Sequence, residues 1–156
     1  MFSTAPRRGF SLVELVIVVV ILSIIGAIAI PRMSRGAAGA ADSGLQADLA
    51  VMRAAIDLYA AEHGGDFPAF ATFENQLTLY SDVNGNTNAT QTGVFIYGPY
   101  LREIPALKVG TGKGVSTVVS TADGNGGWVY DAAAGSIVAN LAGTETDAAG
   151  TAYNAY

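Results

Sequence analysis

The chain has 156 residues, with 13 acidic against 8 basic residues and a formal net charge of −5. This balance offers no phosphate-binding stripe and argues against a nucleic-acid partner. No cysteine is present, which excludes disulfides, thiolate metal sites and cysteine nucleophiles. The single histidine, His63, excludes a two-histidine metal site. The composition therefore predicts that the chain is not an enzyme and that it has room for one globular domain.

Residues 10–30 form an apolar run that contains two serines and one carboxylate, Glu14. As a helix the run spans about 31 Å, close to the thickness of a bilayer's hydrocarbon core. Arg7 and Arg8 precede it, and the positive-inside rule then keeps the N-terminus cytoplasmic and sends the remainder across the membrane. The run is therefore predicted to be a membrane span.

An ordinary secretory signal peptide is the alternative interpretation of this run. Ala27-Ile28-Ala29 has the form of an A-x-A cleavage site, which would make Ile30 the first mature residue. The long apolar region, its ionisable residue and the position of Pro31 just after the cut argue against it.

Glu14 is the feature that distinguishes these interpretations, because a carboxylate in hydrocarbon costs a few kcal/mol unless it has a partner or a function. The positive end of the helix dipole favours an anion in this first turn. A cut between Gly9 and Phe10 would create an α-amine at the same membrane depth. The amine of a neighbouring, axially shifted subunit could then neutralise Glu14, which would make the carboxylate an assembly device.

The stretch from Arg8 to Leu15, RGFSLVEL, followed by an apolar helix with Pro31, resembles the type III signal of type IV pilins and type II secretion pseudopilins. The resemblance implies that a prepilin peptidase cuts after Gly9 and methylates the amine of Phe10. It also implies that Phe10, Glu14 and Pro31 act in filament assembly. Glycine suits the cleavage position because it has no Cβ to obstruct a narrow protease cleft.

Pro31 is expected to end or kink the apolar helix, and three glycines before residue 45 make this stretch a hinge candidate. A second, amphipathic segment runs from Asp42 to about His63, with an apolar face repeating every three or four residues and a polar opposite face. The resemblance implies one long helix through both segments. The predicted divisions are a leader 1–9, a span 10–30, a hinge and amphipathic half 31–63, and a head domain 64–156.

The remaining residues predict a small α+β head. Phe73, Leu77 and Tyr80 have the spacing of a short helix. Strands are predicted at 94–97 and 115–120, with a hairpin of 128–130 and 136–140 that turns at Ala134-Gly135. The aromatic residues of this hairpin are expected to cover the apolar face of the amphipathic helix. The fold class is thus α+β, a long N-terminal helix packed on a small antiparallel sheet, with a surface loop or frayed tail at 143–156.

Four local motifs are weak. Residues 82–93 imitate the opening of a calcium loop but lack its glycine and its bidentate glutamate. Asn88-Ala89-Thr90 is a glycosylation sequon, which indicates only exposure. The VGTGKG stretch at 109–114 lacks the first glycine and the Ser or Thr of a phosphate loop. His63 is placed at the end of the amphipathic helix, where an imidazolium would suit the dipole.

GPYLREIP at 98–105 and GGWVYDAAAGSIVANL at 126–141 resemble the head of major pseudopilins of type II secretion systems. That resemblance implies a homopolymer anchored in the bacterial inner membrane, with a periplasmic head. It implies as partners an assembly ATPase, an inner-membrane platform protein and an outer-membrane secretin. Major pseudopilins usually carry a calcium-binding acidic loop near the C-terminus, but the acidic residues here do not align with one, so no cofactor is assigned.

Three functions remain open at this point. The first is a pseudopilus subunit that supports protein export. The second is a type IV pilin for adhesion, motility or DNA uptake, although pilins commonly brace their C-terminal region with a disulfide and this chain has no cysteine. The third is a binding module released by ordinary signal peptidase.

Overall fold

The computed structural model describes residues 9–156, apart from the side chains of Pro31, Ser34 and Arg35. One helix, α1 (Leu12–Glu62), occupies the first part of the chain. It continues through Pro31, so the prediction that Pro31 ends the helix is wrong, while the single long helix implied by the resemblance is confirmed. Only one turn of hydrogen bonding is affected by a helical proline, and the apolar residues on both sides continue the helix.

The structured chain divides into two compact units, one ending at Ala37 and one comprising Ala38–Tyr156. In the first unit, Leu12–Ile30 is long and apolar enough to cross a membrane. Its large apolar side chains are about half exposed or more, and none of the segment is buried within the chain. The polar exception, Ser23, donates its hydroxyl to the carbonyl oxygen of Val19 at 2.7 Å, which satisfies that group inside the helix.

The second unit has its own hydrophobic core. One face of α1 is almost fully buried in it, as predicted, and the hairpin aromatics Trp128 and Tyr130 belong to the same cluster. Trp128 donates its indole N–H to the carbonyl oxygen of Pro105 at 2.8 Å, and Tyr130 donates its hydroxyl to that of Pro68 at 2.8 Å. The buried residues of α1 are Leu45, Leu49, Met52, Ala55, Ile56, Tyr59 and Ala60.

Short elements complete this unit and give the predicted α+β class. A 3₁₀ turn at Phe70–Thr72 leads into α2 (Phe73–Thr78). Strands β1 (Tyr80–Ser81) and β2 (Thr87–Asn88) form an antiparallel pair. Strands β3 (Val118–Val119), β4 (Trp128–Asp131) and β5 (Ser136–Ala139) form a three-stranded sheet in that order.

The sheet differs from the prediction in two respects. It is mixed, because β3 runs parallel to β4 while β4 and β5 form the predicted antiparallel hairpin. The strand predicted at 94–97 is reduced to one bridge between Tyr97 and Ser81. Gly98 has φ +70° and Pro99 lacks an amide hydrogen, so the chain turns away where a ladder would continue.

The hairpin turn confirms the role predicted for Gly135. This residue has φ +64°, and a Cβ there would lie 2.4 Å from the ring of Phe67. Both the left-handed backbone and the close ring require glycine. The C-terminal segment contradicts its prediction, because residues 143–156 are hydrogen-bonded to the head and end in a 3₁₀ turn at Tyr153–Ala155.

Candidate processing and assembly segment

Gly9 and Phe10 lie directly before α1, in backbone that is not helical. The Phe10 side chain is 86 % exposed, and nothing lies within 4 Å of the place where a Cβ on Gly9 would be. Exposed, non-helical backbone is the form that proteases cleave most readily. The predicted cleavage position is therefore accessible in this unit.

The first turn of α1 is closed by Ser11 and Glu14. The backbone N–H of Ser11 donates to Oε2 of Glu14 at 2.9 Å, and Oγ of Ser11 accepts the N–H of Val13 at 3.3 Å. This is a capping box, which satisfies amide donors that a helix terminus otherwise leaves unpaired. The sequence interpretation missed it, although a serine three residues before a glutamate is the ordinary signal for it.

The cap gives Glu14 a role within its own chain and leaves it able to act on another. Among residues 9–156, only Oε2 accepts a hydrogen bond, and the side chain is exposed. The second oxygen can therefore accept an ammonium group from a second copy while the cap stays intact. The geometry separates two roles that the sequence alone combined, capping through one oxygen and charge pairing through the other.

The polar side of α1 in the second unit is less wet than predicted, because three of its charged residues bind the rest of that unit. These contacts fix the helix to the hairpin, to the segment that follows Gly98 and to the C-terminal residues. They are Lys108 Nζ donating to Asp48 Oδ2 at 2.7 Å, Arg53 Nη2 donating to the carbonyl oxygens of Ile137 at 3.0 Å and Tyr156 at 2.6 Å, and Tyr100 Oη donating to Glu62 Oε2 at 2.6 Å.

The face of α1 that remains exposed in this unit carries a stripe of small and apolar residues. Val51 is 56 % exposed and Leu58 is 51 % exposed. The spacing of four and three residues matches the seam along which two helices pack, and the alanines would let a second backbone approach closely. We call this surface the outer stripe; it consists of Ala47, Val51, Ala54, Leu58 and Ala61.

His63 follows the last residue of α1, as predicted, and is 6 % exposed. Its ring stacks on Tyr59 with centroids 3.8 Å apart. Nδ1 lies 2.8 Å from the carbonyl oxygen of Tyr59 and Nε2 lies 2.9 Å from that of Asp82. Ser81 Oγ is 3.2 Å from Nε2, but Ser81 is 0 % exposed, so a substrate cannot reach it. The histidine therefore packs the end of the helix.

The two weak motifs of the 82–93 loop are also structural. Asp82 accepts the backbone N–H groups of Asn84 and Asn86, both at 2.9 Å, and these bonds, led by the side chain of Asn86, lower the pKa of its carboxyl. The sequon residue Asn88 lies half-buried in β2 and accepts the N–H of Thr90 at 2.9 Å. Within the described residues, no three His, Cys, Asp or Glu side chains are grouped so as to hold a metal.

Residues 5–30 match the family model described as the prokaryotic N-terminal methylation motif. The searches of curated proteins and of solved structures find no significant match. The motif suggests a structural subunit that is processed by prepilin peptidase and polymerises with other pilins, and the apolar segment fits a single-pass membrane anchor. With the α+β fold, this match supports placing the chain among type IV pilin-like proteins.

Proposed function

We propose that this chain is the major subunit type of a type II secretion pseudopilus, a periplasmic filament that supports protein export across the outer membrane. In this proposal residues 1–9 are a leader that prepilin peptidase removes after Gly9, with methylation of the Phe10 amine. Residues 10–30 hold the subunit in the inner membrane and later form the filament core. Residues 31–63 carry the head domain 64–156, and Pro31 lies where the two functions of the helix meet.

The observation that carries the proposal is the order of Gly9, Phe10 and a capped Glu14 at the head of an exposed apolar helix. Lipid covers such a helix in the membrane, and helices of other copies can cover it in a filament. The free oxygen of Glu14 would pair with the Phe10 amine of a neighbouring copy. Each subunit would then be added at one fixed axial step.

The outer stripe supports the same assembly from the second unit. Exposed contiguous apolar residues on a soluble surface commonly mark an interaction site. In a stack of parallel copies, helices of neighbouring subunits would cover the stripe and leave the acidic head facing outwards. Two separate helix surfaces would therefore become buried in one polymerisation step.

The pseudopilin form of the proposal rests on two sequence features. The chain has no cysteine, and the GPYL segment and tryptophan hairpin resemble major pseudopilins. Its partners would then be a cytoplasmic assembly ATPase, an inner-membrane platform protein and an outer-membrane secretin. Deleting the gene should reduce exoprotein release and leave twitching motility intact, whereas the reverse result would identify a type IV pilin.

Mass spectrometry of the mature N-terminus tests the processing step. We expect the chain to begin at Phe10 with a methylated amine. A chain that begins at Ile30 would indicate ordinary signal peptidase and a released binding module. Filaments whose subunits retain Met1 would contradict the proposal, because the amine that pairs with Glu14 would not exist.

A further inference from the structure

The C-terminal segment 143–156 is bound to three parts of the second unit. Tyr153 Oη donates to Asp42 Oδ1 on α1 at 2.7 Å. Thr111 donates both its backbone N–H and its hydroxyl to Glu145, each at 2.8 Å. Arg53 reaches the carbonyl oxygen of Tyr156 at 2.6 Å. The segment therefore fastens the start of the second unit's helix to the loop before β3.

The segment is also closed on itself around Asp147. Oδ1 of Asp147 accepts the backbone N–H groups of Ala149 and Thr151, both at 2.8 Å. Oδ2 accepts the hydroxyl of Tyr156. Both oxygens of this carboxylate thus face hydrogen-bond donors from its own segment.

These contacts do not fit the calcium loop that the resemblance to major pseudopilins implies. Calcium takes six to eight converging oxygen ligands, and it would have to displace the donors that now point at each carboxylate. Asp147 faces its own segment, Glu145 faces Thr111 and Asp42 faces Tyr153. Asp123, the other acidic candidate, accepts donors from Asn125 and Asn140 instead. The carboxylates of the described chain therefore serve separate hydrogen bonds and do not form one oxygen cage.

We propose that a clasp of hydrogen bonds between hydroxyls and carboxylates, Tyr153 to Asp42, Tyr156 to Asp147 and Thr111 to Glu145, braces the C-terminal segment in place of a calcium ion. The head is then complete without metal and without a disulfide. Assembly of the filament would consequently be insensitive to calcium depletion. The clasp does not depend on the proposed function, because it would brace the head of a pilin or of a released module equally well.

The ionisation of the clasp agrees with this arrangement. Burial, and then the bond to Asp42, raises the pKa of Tyr153 to about 12. The bond from Tyr156 and the backbone N–H of Thr151 lower the pKa of Asp147. A neutral hydroxyl therefore donates to an ionised carboxylate throughout the neutral range, which is the stronger, charge-assisted kind of hydrogen bond.

The first test compares metal conditions on the unmodified protein. The mature full chain in detergent is melted while the fluorescence of Trp128, its one tryptophan, is followed with EDTA, with about 5 mM calcium chloride or with the same amount of magnesium chloride, a level above the dissociation constants of weak extracellular calcium sites. We expect one melting temperature under all three conditions. Stabilisation by calcium of several degrees over EDTA, without the same effect of magnesium, would overturn the proposal.

The second test removes one hydroxyl of the clasp. Tyr153→Phe should lower the melting temperature by roughly 3–8 °C, since a bond to a charged group is lost. Hydrogen exchange of peptide 143–156 should accelerate roughly tenfold or more. Tyr80→Phe is the matched control, because the Tyr80 hydroxyl makes no hydrogen bond among the described residues. Equal exchange in Tyr153→Phe and the control would refute the clasp.

A milder variant covers the case in which Tyr153→Phe does not fold. Tyr156→Phe removes only the bond to Asp147 and leaves the contact with Asp42 in place. Its exchange in 143–156 should rise while exchange in the β4–β5 hairpin stays unchanged. Unchanged exchange in both regions would contradict the clasp, as would an increase spread evenly over the head.

Discussion

The two units of this molecule treat apolar side chains in opposite ways. The unit that ends at Ala37 displays them, with none of Leu12–Ile30 buried within the chain, while Ala38–Tyr156 buries its own in one cluster. Their charges are also opposite: four basic residues against one acidic in the first, and four basic against twelve acidic in the second. One unit is therefore complete in water and the other requires lipid or further copies of itself.

Helix α1 runs through both units, so backbone hydrogen bonding does not explain the difference between them. The difference lies in what each side chain can contact. In the second unit the apolar face of the helix meets the hairpin and α2, whereas the outer stripe and the apolar first half have no such neighbours among the described residues. Polymerisation is the step that we propose supplies those neighbours.

The prediction with the largest expected effect concerns Glu14. Glu14→Gln can still cap the helix, because glutamine is equally suited to the third position of a capping box, but it cannot pair with an ammonium group. We expect membrane insertion to persist and filament formation to fall nearly to zero, as it should for Glu14→Ala. Shearing followed by pelleting measures polymer, and membrane fractionation measures insertion.

Ser11→Ala provides the matched control for Glu14. It removes only the side-chain contact with Val13 at 3.3 Å and should cost the helix about 1 kcal/mol or less without reducing polymer. If Glu14→Gln polymerises like the parent and Ser11→Ala does not, the carboxylate acts as a cap and its proposed intermolecular role is wrong.

The second prediction concerns the outer stripe. Leu58→Asp puts a charge on an exposed position, so the folding stability of the head should change by no more than about 0.5 kcal/mol. Polymer should fall several-fold, because a charge would have to be desolvated against a neighbouring helix. Gln91→Asp, in the exposed 82–93 loop, makes the same change in charge away from the stripe. Equal polymer from both variants would remove the stripe from the assembly surface.

The sequence predicted most of what depends on local pattern. The buried face of α1, the hairpin and the turn at Gly135 follow from spacing and from the φ that glycine permits. The parallel pairing of β3 with β4 did not follow, because two paired residues carry too little signal. The docked C-terminal segment was also missed, since Tyr153 and Asp42 are joined only by tertiary folding.

The third prediction applies the same truncation to each half of α1. Leu49 is 1 % exposed and Leu22 is 62 % exposed. Leu49→Ala should cost the head about 2–5 kcal/mol, through lost burial and a cavity, whereas Leu22→Ala should leave unfolding of the head unchanged. Denaturant unfolding of the full chain in detergent, followed by the fluorescence of Trp128, measures both. A similar loss from both variants would show that the two halves of the helix are not distinguished by their surroundings.

The smallest expected effect is the pH dependence of the second unit. Hydrogen bonds, led by those from Asn140 and Tyr156, hold the pKa values of Asp123 and Asp147 below their ordinary value of 3.8. Their stabilisation is present above pH 3.8 and is lost as the pH falls through the lowered pKa values. Burial raises the pKa values of Tyr130 and Tyr153 from 10.0 to about 12. Their stabilisation is present below pH 10 and is lost as the pH rises from 10 towards 12.

Unfolding midpoints should therefore be level between about pH 4 and 10 and fall on both sides. The alkaline fall should be the steeper, because Tyr130 is 1 % exposed and an ionised phenol there would be buried beside the carbonyl oxygen of Pro68. Tyr130→Phe has no proton to lose and should flatten the alkaline limb while leaving the acid limb in place. An alkaline limb that is unchanged in Tyr130→Phe would assign the loss to a group outside the core, and the contrast between a self-sufficient head and a dependent anchor would then need another account of the head's stability.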